Sequence, residues 1–221
     1  MLNNKKRVFW EALLLTLLVF LIGFLAGVLF EEKRVNIIEE YYVQSENSLM
    51  DLLALNNFAN LNNLSCDVLI NSNIDFANRI YDEAKILEEY EASGRLTDNL
   101  NLQHKKYDIM RTFLWINTIK TDEICSNTKR ENHVVVYLYT YSVQDLTIKA
   151  TNSVWSKILE DLKEKHGNEI ILIPIAVDND VGSLNSILQN FNVTKYPALI
   201  VDNSKIIEEL SSVEEVESYF N

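Results

Sequence analysis

The sequence predicts a mixed α/β protein with an N-terminal transmembrane helix, an α-helical hairpin and a C-terminal β-α-β-α-β-β-α domain. Residues 12–30 are apolar except for Thr16, and residues 35–124 contain one glycine and no proline. Residues 132–221 alternate short β-rich runs with amphipathic segments. The predicted boundaries are a cytoplasmic N-terminus at 1–7, a membrane helix at 8–30, a helical stalk and hairpin at 31–131, and the α/β domain at 132–221.

The apolar N-terminal segment is long enough to cross a bilayer as a helix. Ala12 to Phe30 is close to the roughly 20 residues that span the hydrocarbon core. Because Lys5, Lys6 and Arg7 precede it, the positive-inside rule places the N-terminus in the cytoplasm and the rest of the chain outside. The run is longer than the apolar region of a cleaved signal peptide, and no clear cleavage site follows. We therefore expect an uncleaved signal-anchor and a single-pass protein of the cell membrane.

Gly23 and Gly27 are four residues apart within this segment. Such a GxxxG pair lets two membrane helices approach closely, so one interpretation is a homodimer through this face. The other interpretation, which we favour, is the ordinary glycine content of a membrane helix.

The charge balance argues against nucleic acid as a partner. The net charge is −12, and the first 30 residues contribute +2, so residues 31–221 carry −14. Nucleic-acid affinity depends on basic groups that neutralise phosphates, and an acidic surface repels them.

Neither a cofactor nor a metal ion is predicted. His104, His133 and His166 are scattered and lack the paired spacing of zinc ligands. No phosphate-binding glycine motif occurs. Sequons at Asn63 and Asn192 leave glycosylation open, because the tripeptide is common by chance.

Three helices are predicted between the membrane segment and the α/β domain. Ile37 to Phe58 continues the membrane helix as a stalk, and an asparagine-rich turn at Asn56–Asn63 ends it. The second helix, Leu64–Ala92, and a third, capped by Thr97 or Asp98 and ending near Lys120, form an antiparallel hairpin. Gly94 suits the turn between them.

The hairpin geometry predicts a disulfide between Cys66 and Cys125. Cys66 lies 28 residues before Gly94 and Cys125 lies 31 residues after it. At 1.5 Å per residue, each is roughly 42–46 Å from the turn, so both lie at the open end of the hairpin. An oxidising compartment favours the bridge. The alternatives are two free thiols packed as small hydrophobic residues, and a catalytic redox pair, which the lack of C-x-x-C spacing disfavours.

The C-terminal domain changes to a mixture of strand and helix patterns. The expected strands are His133–Tyr141, Glu169–Val177, Ala198–Val201 and Lys205–Ile207, and the expected helices are Thr151–His166, Val181–Phe191 and Val213–Phe220. This order gives a parallel pair joined by a crossover helix, followed by a terminal hairpin.

Residues 132–221 resemble the thioredoxin-like fold. Phe191–Val201 reads FNVTKYPALIV and is similar to the family's F-x-V-x-x-x-P-T-hydrophobic segment. Tyr137–Ser142 is similar to the strand that leads into the family's active-site motif. The combination of anchor, helical hairpin and this domain resembles membrane-anchored thioredoxin-like proteins of archaea.

The resemblance implies a cis peptide bond before Pro197. It also implies a groove bordered by Tyr141, Ser142, Tyr196 and Pro197, where family members pair with an extended peptide. The alternative is that the groove is vestigial and the proline purely structural.

The chain departs from the family at the redox motif. Residues 143–150, where the family places C-x-x-C, contain no cysteine, and none follows Cys125. Thiol–disulfide exchange requires a thiolate, so we expect the domain to perform no dithiol chemistry. Asp145 or Ser142 is interpreted as a helix cap.

The leading hypothesis is a non-enzymatic, extracytoplasmic module that binds or scaffolds exported polypeptides in a chaperone-like way. One alternative is a thiol–disulfide oxidoreductase that uses Cys66 and Cys125. The other is a structural envelope protein whose stalk helices dimerise.

Overall fold

The chain divides into two compact units in this computed structural model, Met1–Gln44 and Ser45–Asn221. Residues 2–59, 65–92, 100–126 and 132–220 are described. The helices are α1 (Leu2–Ala59), α2 (Cys66–Ala92), α3 (Leu100–Ile124), α4 (Leu146–His166), α5 (Gly182–Phe191) and α6 (Val213–Glu217). The strands are β1 (His133–Tyr139), β2 (Ile170–Ala176), β3 (Ala198–Val201) and β4 (Lys205–Ile207). The prediction of a mixed α/β protein with an apolar N-terminal helix is confirmed.

The first unit is the part of α1 that ends at Gln44. Arg7–Phe30 has a mean hydropathy of 2.9 and is long and apolar enough to cross a membrane. The hydroxyl of Thr16 donates to the Ala12 carbonyl at 2.9 Å. The one polar side chain between residues 12 and 30 is therefore satisfied within the helix itself.

The end of α1 differs from the sequence prediction. The helix continues to Ala59, so the turn expected to begin at Asn56 is wrong over its first four residues. Leu49 and Leu52, one to two turns earlier, are buried, and this packing favours helix over the turn preference of asparagine. The rest of the predicted turn, with Asn63, lies outside the described residues.

Helices α2 and α3 pack against each other, and their open end carries the cysteines. Cys66, the first residue of α2, forms a disulfide with Cys125, and the two Cα atoms are 5.7 Å apart. Two turns along the pair, the Asn73 side-chain amide donates to the Thr121 hydroxyl at 2.9 Å. The turn predicted at Gly94, with its caps at Thr97 and Asp98, lies outside the described residues.

The four strands form one mixed sheet in the order β2-β1-β3-β4. β1 pairs in parallel with β2, beginning at His133 opposite Ile170. It pairs antiparallel with β3, where Leu138 lies opposite Ala198. β3 and β4 form an antiparallel hairpin. The edges of the sheet are therefore β2 and β4.

The two faces of the sheet are covered by different helices. Val135 and Tyr137 of β1 pack with Trp155 and Leu159 of α4 and with Val216 of α6. Successive strand residues point to opposite faces, so the residues between these reach the other face, where Val134, Val136 and Leu138 are fully buried. Helix α3 contacts both β2 and α5.

Two helix boundaries in the α/β domain differ from expectation by more than one residue. α4 begins at Leu146, five residues before the predicted Thr151, because the Asp145 carboxylate accepts from the backbone N–H of Thr147 at 2.7 Å. α6 ends at Glu217 rather than Phe220.

Candidate functional site

The predicted groove residues flank one end of the sheet. Since Leu138 lies opposite Ala198, the segment after β1 and the segment before β3 emerge at the same end. Ser142 is exposed, and Tyr141, Tyr196 and Pro197 are partly buried. The Tyr196–Pro197 peptide bond is cis.

The loop after β1 is held by a carboxylate. Both oxygens of Asp178 accept backbone hydrogen bonds at 2.8 Å, one from the N–H of Tyr141 and the other from the N–H of Ser142. Asp178 follows β2, so it ties together the loops after the two parallel strands. Asp145 caps the N-terminus of α4, as one of the two interpretations of the sequence predicts.

Helix α3 reaches the same end of the sheet through Asp108. This side chain is 1% exposed and accepts from the backbone N–H of Ala176 at 3.1 Å and from the side-chain amide of Asn179. Arg111 Nη1 lies 3.4 Å from its Oδ1. Burial raises the pKa of Asp108, and Arg111, Asn179 and the Ala176 amide partly offset this rise.

These contacts also close the outer edge of β2. The N–H of Val177 donates to the Tyr139 carbonyl of the neighbouring strand, whereas that of Ala176 points outward to Asp108. Backbone N–H groups alternate in direction along a strand, so position 174 would also point its N–H away from β1. Pro174 occupies this position and has no N–H to offer. The edge thus presents few donors to an added strand.

A cavity of about 540 Å³ lies beside this edge, between α2, α3, α4 and strands β1 and β2. Four tyrosines line it: Tyr81, Tyr137, Tyr139 and Tyr141. Apolar lining comes from all the surrounding elements and includes Ala77, Ile80, Leu114, Leu159, Leu172 and Pro174. The ring of Tyr141 lies 4.3 Å from that of His104. Of the four predicted groove residues, all of which are described, only Tyr141 lines this cavity.

The polar lining of the cavity differs between its interior and its rim. Arg111 is buried, with 8% of its surface exposed, whereas Lys85, Lys157 and Glu160 are exposed. Lys157 lies 3.1 Å from Glu160, so these two rim charges pair. Burial is the main cause that raises the pKa of Tyr137, whose hydroxyl therefore stays protonated as a hydrogen-bond donor.

The disulfide belongs to the other end of the sheet. Asn203, in the turn between β3 and β4, accepts from Trp115 Nε1 at 2.8 Å and donates to Asp122 Oδ2 at 2.9 Å. Cys125 follows Asp122 by three residues, while Pro197 precedes the start of β3. Cys125 is 3% exposed. The bridge and the proline loop are thus separated by the length of β3.

Sequence reasoning missed Asp108 and Arg111. The sequence signal is an Asp–Arg pair at i and i+3 within the apolar pattern of α3. Such pairs are common on exposed helix faces, so only the docking of α3 on the sheet shows that this one is buried. Of the sequons, the Asn192 side chain is exposed in the left-handed residue that ends α5, and Asn63 is not among the described residues.

Neither a search for metal ligands nor a comparison with known proteins assigns a further role to these residues. Within the described ranges, no group of three or more His, Cys, Asp or Glu residues is placed to hold a metal ion. Comparisons with protein-family models, curated proteins and solved structures gave no significant match.

Proposed function

We propose that the chain is a membrane-anchored, extracytoplasmic protein whose C-terminal domain is a thioredoxin-like binding module without dithiol chemistry. Its partners on this proposal are extended segments of exported polypeptides. The observation that carries it is the loop after β1, which contains no cysteine and emerges beside the loop before β3.

The topology supports the thioredoxin-like part of the proposal. The β-α-β-α-β-β-α order, the parallel β1–β2 pair and the sheet order β2-β1-β3-β4 agree with what the resemblance implies. Helices α4 and α6 lie together on one face, and α5 lies with α3.

The residues around the groove support binding rather than redox chemistry. Residues 143–150, where the resemblance places the redox motif, contain no cysteine, and a hydroxyl or carboxylate cannot exchange disulfides. The partly buried Tyr196 and Pro197 and the exposed Ser142 offer a surface against which an extended chain can lie.

The N-terminal helix supports membrane tethering. Arg7–Phe30 has the length and hydropathy of a span, and the basic residues before it favour a cytoplasmic N-terminus. The Cys66–Cys125 bridge fits an oxidising compartment outside the cell.

Blocking the groove tests the proposal. The full chain in lipid nanodiscs is assayed for capture of reduced, carboxymethylated α-lactalbumin, a permanently unfolded polypeptide. Ser142→Trp fills the space beside the loop and is expected to weaken capture about tenfold. Ser204→Trp is the matched control, because Ser204 is also exposed but follows β3 at the opposite end of the sheet. Equal capture by the two variants, or none by the wild type, overturns the peptide-binding proposal.

Nothing in the geometry favours the two alternative functions. An oxidoreductase that used Cys66 and Cys125 needs the bridge beside the substrate loop, whereas the Asn203 contacts hold the end of α3 at the far end of the sheet. A structural protein that dimerises through its membrane helix is supported only by the GxxxG spacing of Gly23 and Gly27.

A further inference from the structure

We propose that the cavity between α2, α3, α4 and the edge of β2 is a binding site for a small carboxylate with an apolar or aromatic body. This site goes beyond the proposed peptide groove, since it shares only Tyr141 with the predicted groove residues.

The size and the lining of the cavity fit such a body. A volume of about 540 Å³ is in the range of pockets that enclose small organic ligands. Ala77, Ile80, Leu114 and Leu159 supply buried apolar lining from three helices. Tyrosine rings on two sides offer faces and edges for an aromatic or branched body.

Arg111 selects the charge of the ligand. Its side chain is 9% exposed, and its Nε has no hydrogen-bond partner among the described residues. Five N–H groups in a fixed fork make guanidinium a bidentate partner for carboxylate. An unpaired buried donor is costly, and the carboxylate of a ligand satisfies the unused Nε donor of Arg111.

Asp108 satisfies this demand only in part. Its contact with Arg111 is a single Nη1–Oδ1 approach at 3.4 Å. Both oxygens of Asp108 already accept other hydrogen bonds, from the Ala176 amide and the Asn179 side chain. Asp108 therefore engages one side of the guanidinium through Nη1, and the unpaired Nε is left to a ligand.

The rim allows entry, and its acidic side chain is paired with a lysine. Lys85, Ser153, Ser156 and Lys157 are exposed lining residues. Glu160 is the acidic member of the described lining, and Lys157 lies 3.1 Å from it. Lys157 also lies 3.0 Å from Asp161, so the two lysines and two carboxylates at the rim balance, in contrast to the acidic chain as a whole.

Binding of naphthalene-2-carboxylate to the full chain in nanodiscs tests this site. Naphthalene-2-carboxamide has almost the same shape without the charge, and empty nanodiscs correct for partition into lipid. We expect the carboxylate to bind about tenfold more tightly than the carboxamide to the wild type, and this preference to disappear in Arg111→Gln. Arg111→Lys keeps the positive charge and is expected to retain part of the preference for the carboxylate.

Two further variants separate the site from general charge and folding effects. Lys149→Gln removes an exposed positive charge of α4 outside the lining and should leave both affinities unchanged. Ala84→Phe fills the cavity from α2 while keeping Arg111, and should weaken both ligands. Equal binding of the two ligands to the wild type, no binding of either, or undiminished binding to Ala84→Phe overturns the proposal. Capture of α-lactalbumin by the same samples reports separately on the peptide groove.

Discussion

The two faces of the central sheet are covered in different ways. On one face, α4 and α6 meet the strands through apolar side chains such as Trp155, Leu159 and Val216. On the other, α3 is attached by directional hydrogen bonds: the Asp108 carboxylate accepts from the backbone at the end of β2, and Trp115 donates to the β3–β4 turn. Apolar burial supplies stability without direction, whereas the polar contacts fix where the hairpin docks.

This difference explains where the cavity lies. Helix α4 is the crossover connection between β1 and β2. Helices α2 and α3 form a separate pair that packs beside the edge strand β2. The space left between α2 and α4 along this edge is the cavity. The cavity that we propose as a ligand site thus results from the docking of a helical hairpin onto an α/β domain.

The largest effect is expected on the apolar face. Trp155 is 1% exposed in the core cluster, so Trp155→Ala should lower the free energy of unfolding by about 3–5 kcal/mol. Val154→Ala is the matched control, because Val154 is 44% exposed and its truncation should cost less than about 0.5 kcal/mol. Urea denaturation of the detergent-solubilised chain, followed by circular dichroism, measures both. Similar losses in the two variants would contradict the packing described for α4.

Removing the covalent link of the hairpin comes next. Cys66→Ser combined with Cys125→Ser opens a loop with a sequence separation of 59 residues, for which the chain-entropy model predicts a loss of about 4 kcal/mol. The same denaturation assay, with and without a reducing agent, gives this loss. Alkylation of both thiols verifies that the bridge is fully reduced. An unchanged denaturation midpoint in the reduced wild type would then show that the bridge does not stabilise the hairpin.

Breaking the polar attachment should cost slightly less. Asp108→Ala leaves Arg111 without its carboxylate and the Ala176 amide without an acceptor, for a loss of about 2–3 kcal/mol. Asp108→Asn retains an acceptor and should lose about half as much. A loss below about 0.5 kcal/mol in Asp108→Ala would mean that the directional contacts do not hold α3 on the sheet.

The smallest effect is a pH dependence within the helical part. Glu83 of α2 is 3% exposed and accepts a hydrogen bond from the Ser45 hydroxyl of α1. Burial raises its pKa, and the hydrogen bond from Ser45 partly offsets the rise. A raised pKa in the folded state means that the stability present below the usual carboxyl pKa is lost as pH rises through the folded value.

Glu83→Gln removes this ionisation, so the variant should gain stability relative to the wild type as the pH rises from 4 to 8. Glu164→Gln, at an exposed position of α4, is the control and should follow the wild type. Thermal melts across this pH range provide the comparison. A constant difference between Glu83→Gln and wild type at every pH would contradict the raised pKa.

Much of the α/β domain could be predicted from local sequence. β1 and β2 are continuous apolar, β-branched runs, and they lie within two residues of their predicted ends. The start of α4 was missed because residues 146–150 are exposed and carry no apolar periodicity, so only the Asp145 cap marks it. Similarly, local turn preference could not foresee that α1 continues to Ala59.

The cavity could not be predicted, because it depends on contacts distant in sequence. Asp108 and Ala176 are 68 positions apart, and the position of Arg111 follows from this docking. Tyr141 was assigned to a groove beside Pro197, but its ring lies against His104 of α3. Period-two alternation places Tyr137, Tyr139 and Tyr141 on one face, yet it cannot say which helix covers that face.

On our proposal, an N-terminal membrane helix holds an oxidised, binding-competent body outside the cell. The most direct test is to treat intact spheroplasts that express the chain with protease, and to map the protected and released peptides by mass spectrometry without reduction. The account predicts cleavage after residue 31, protection of the segment Arg7–Phe30, and a linked peptide pair containing Cys66 and Cys125. A body that stays intact until the membrane is lysed, with both thiols free, would contradict it.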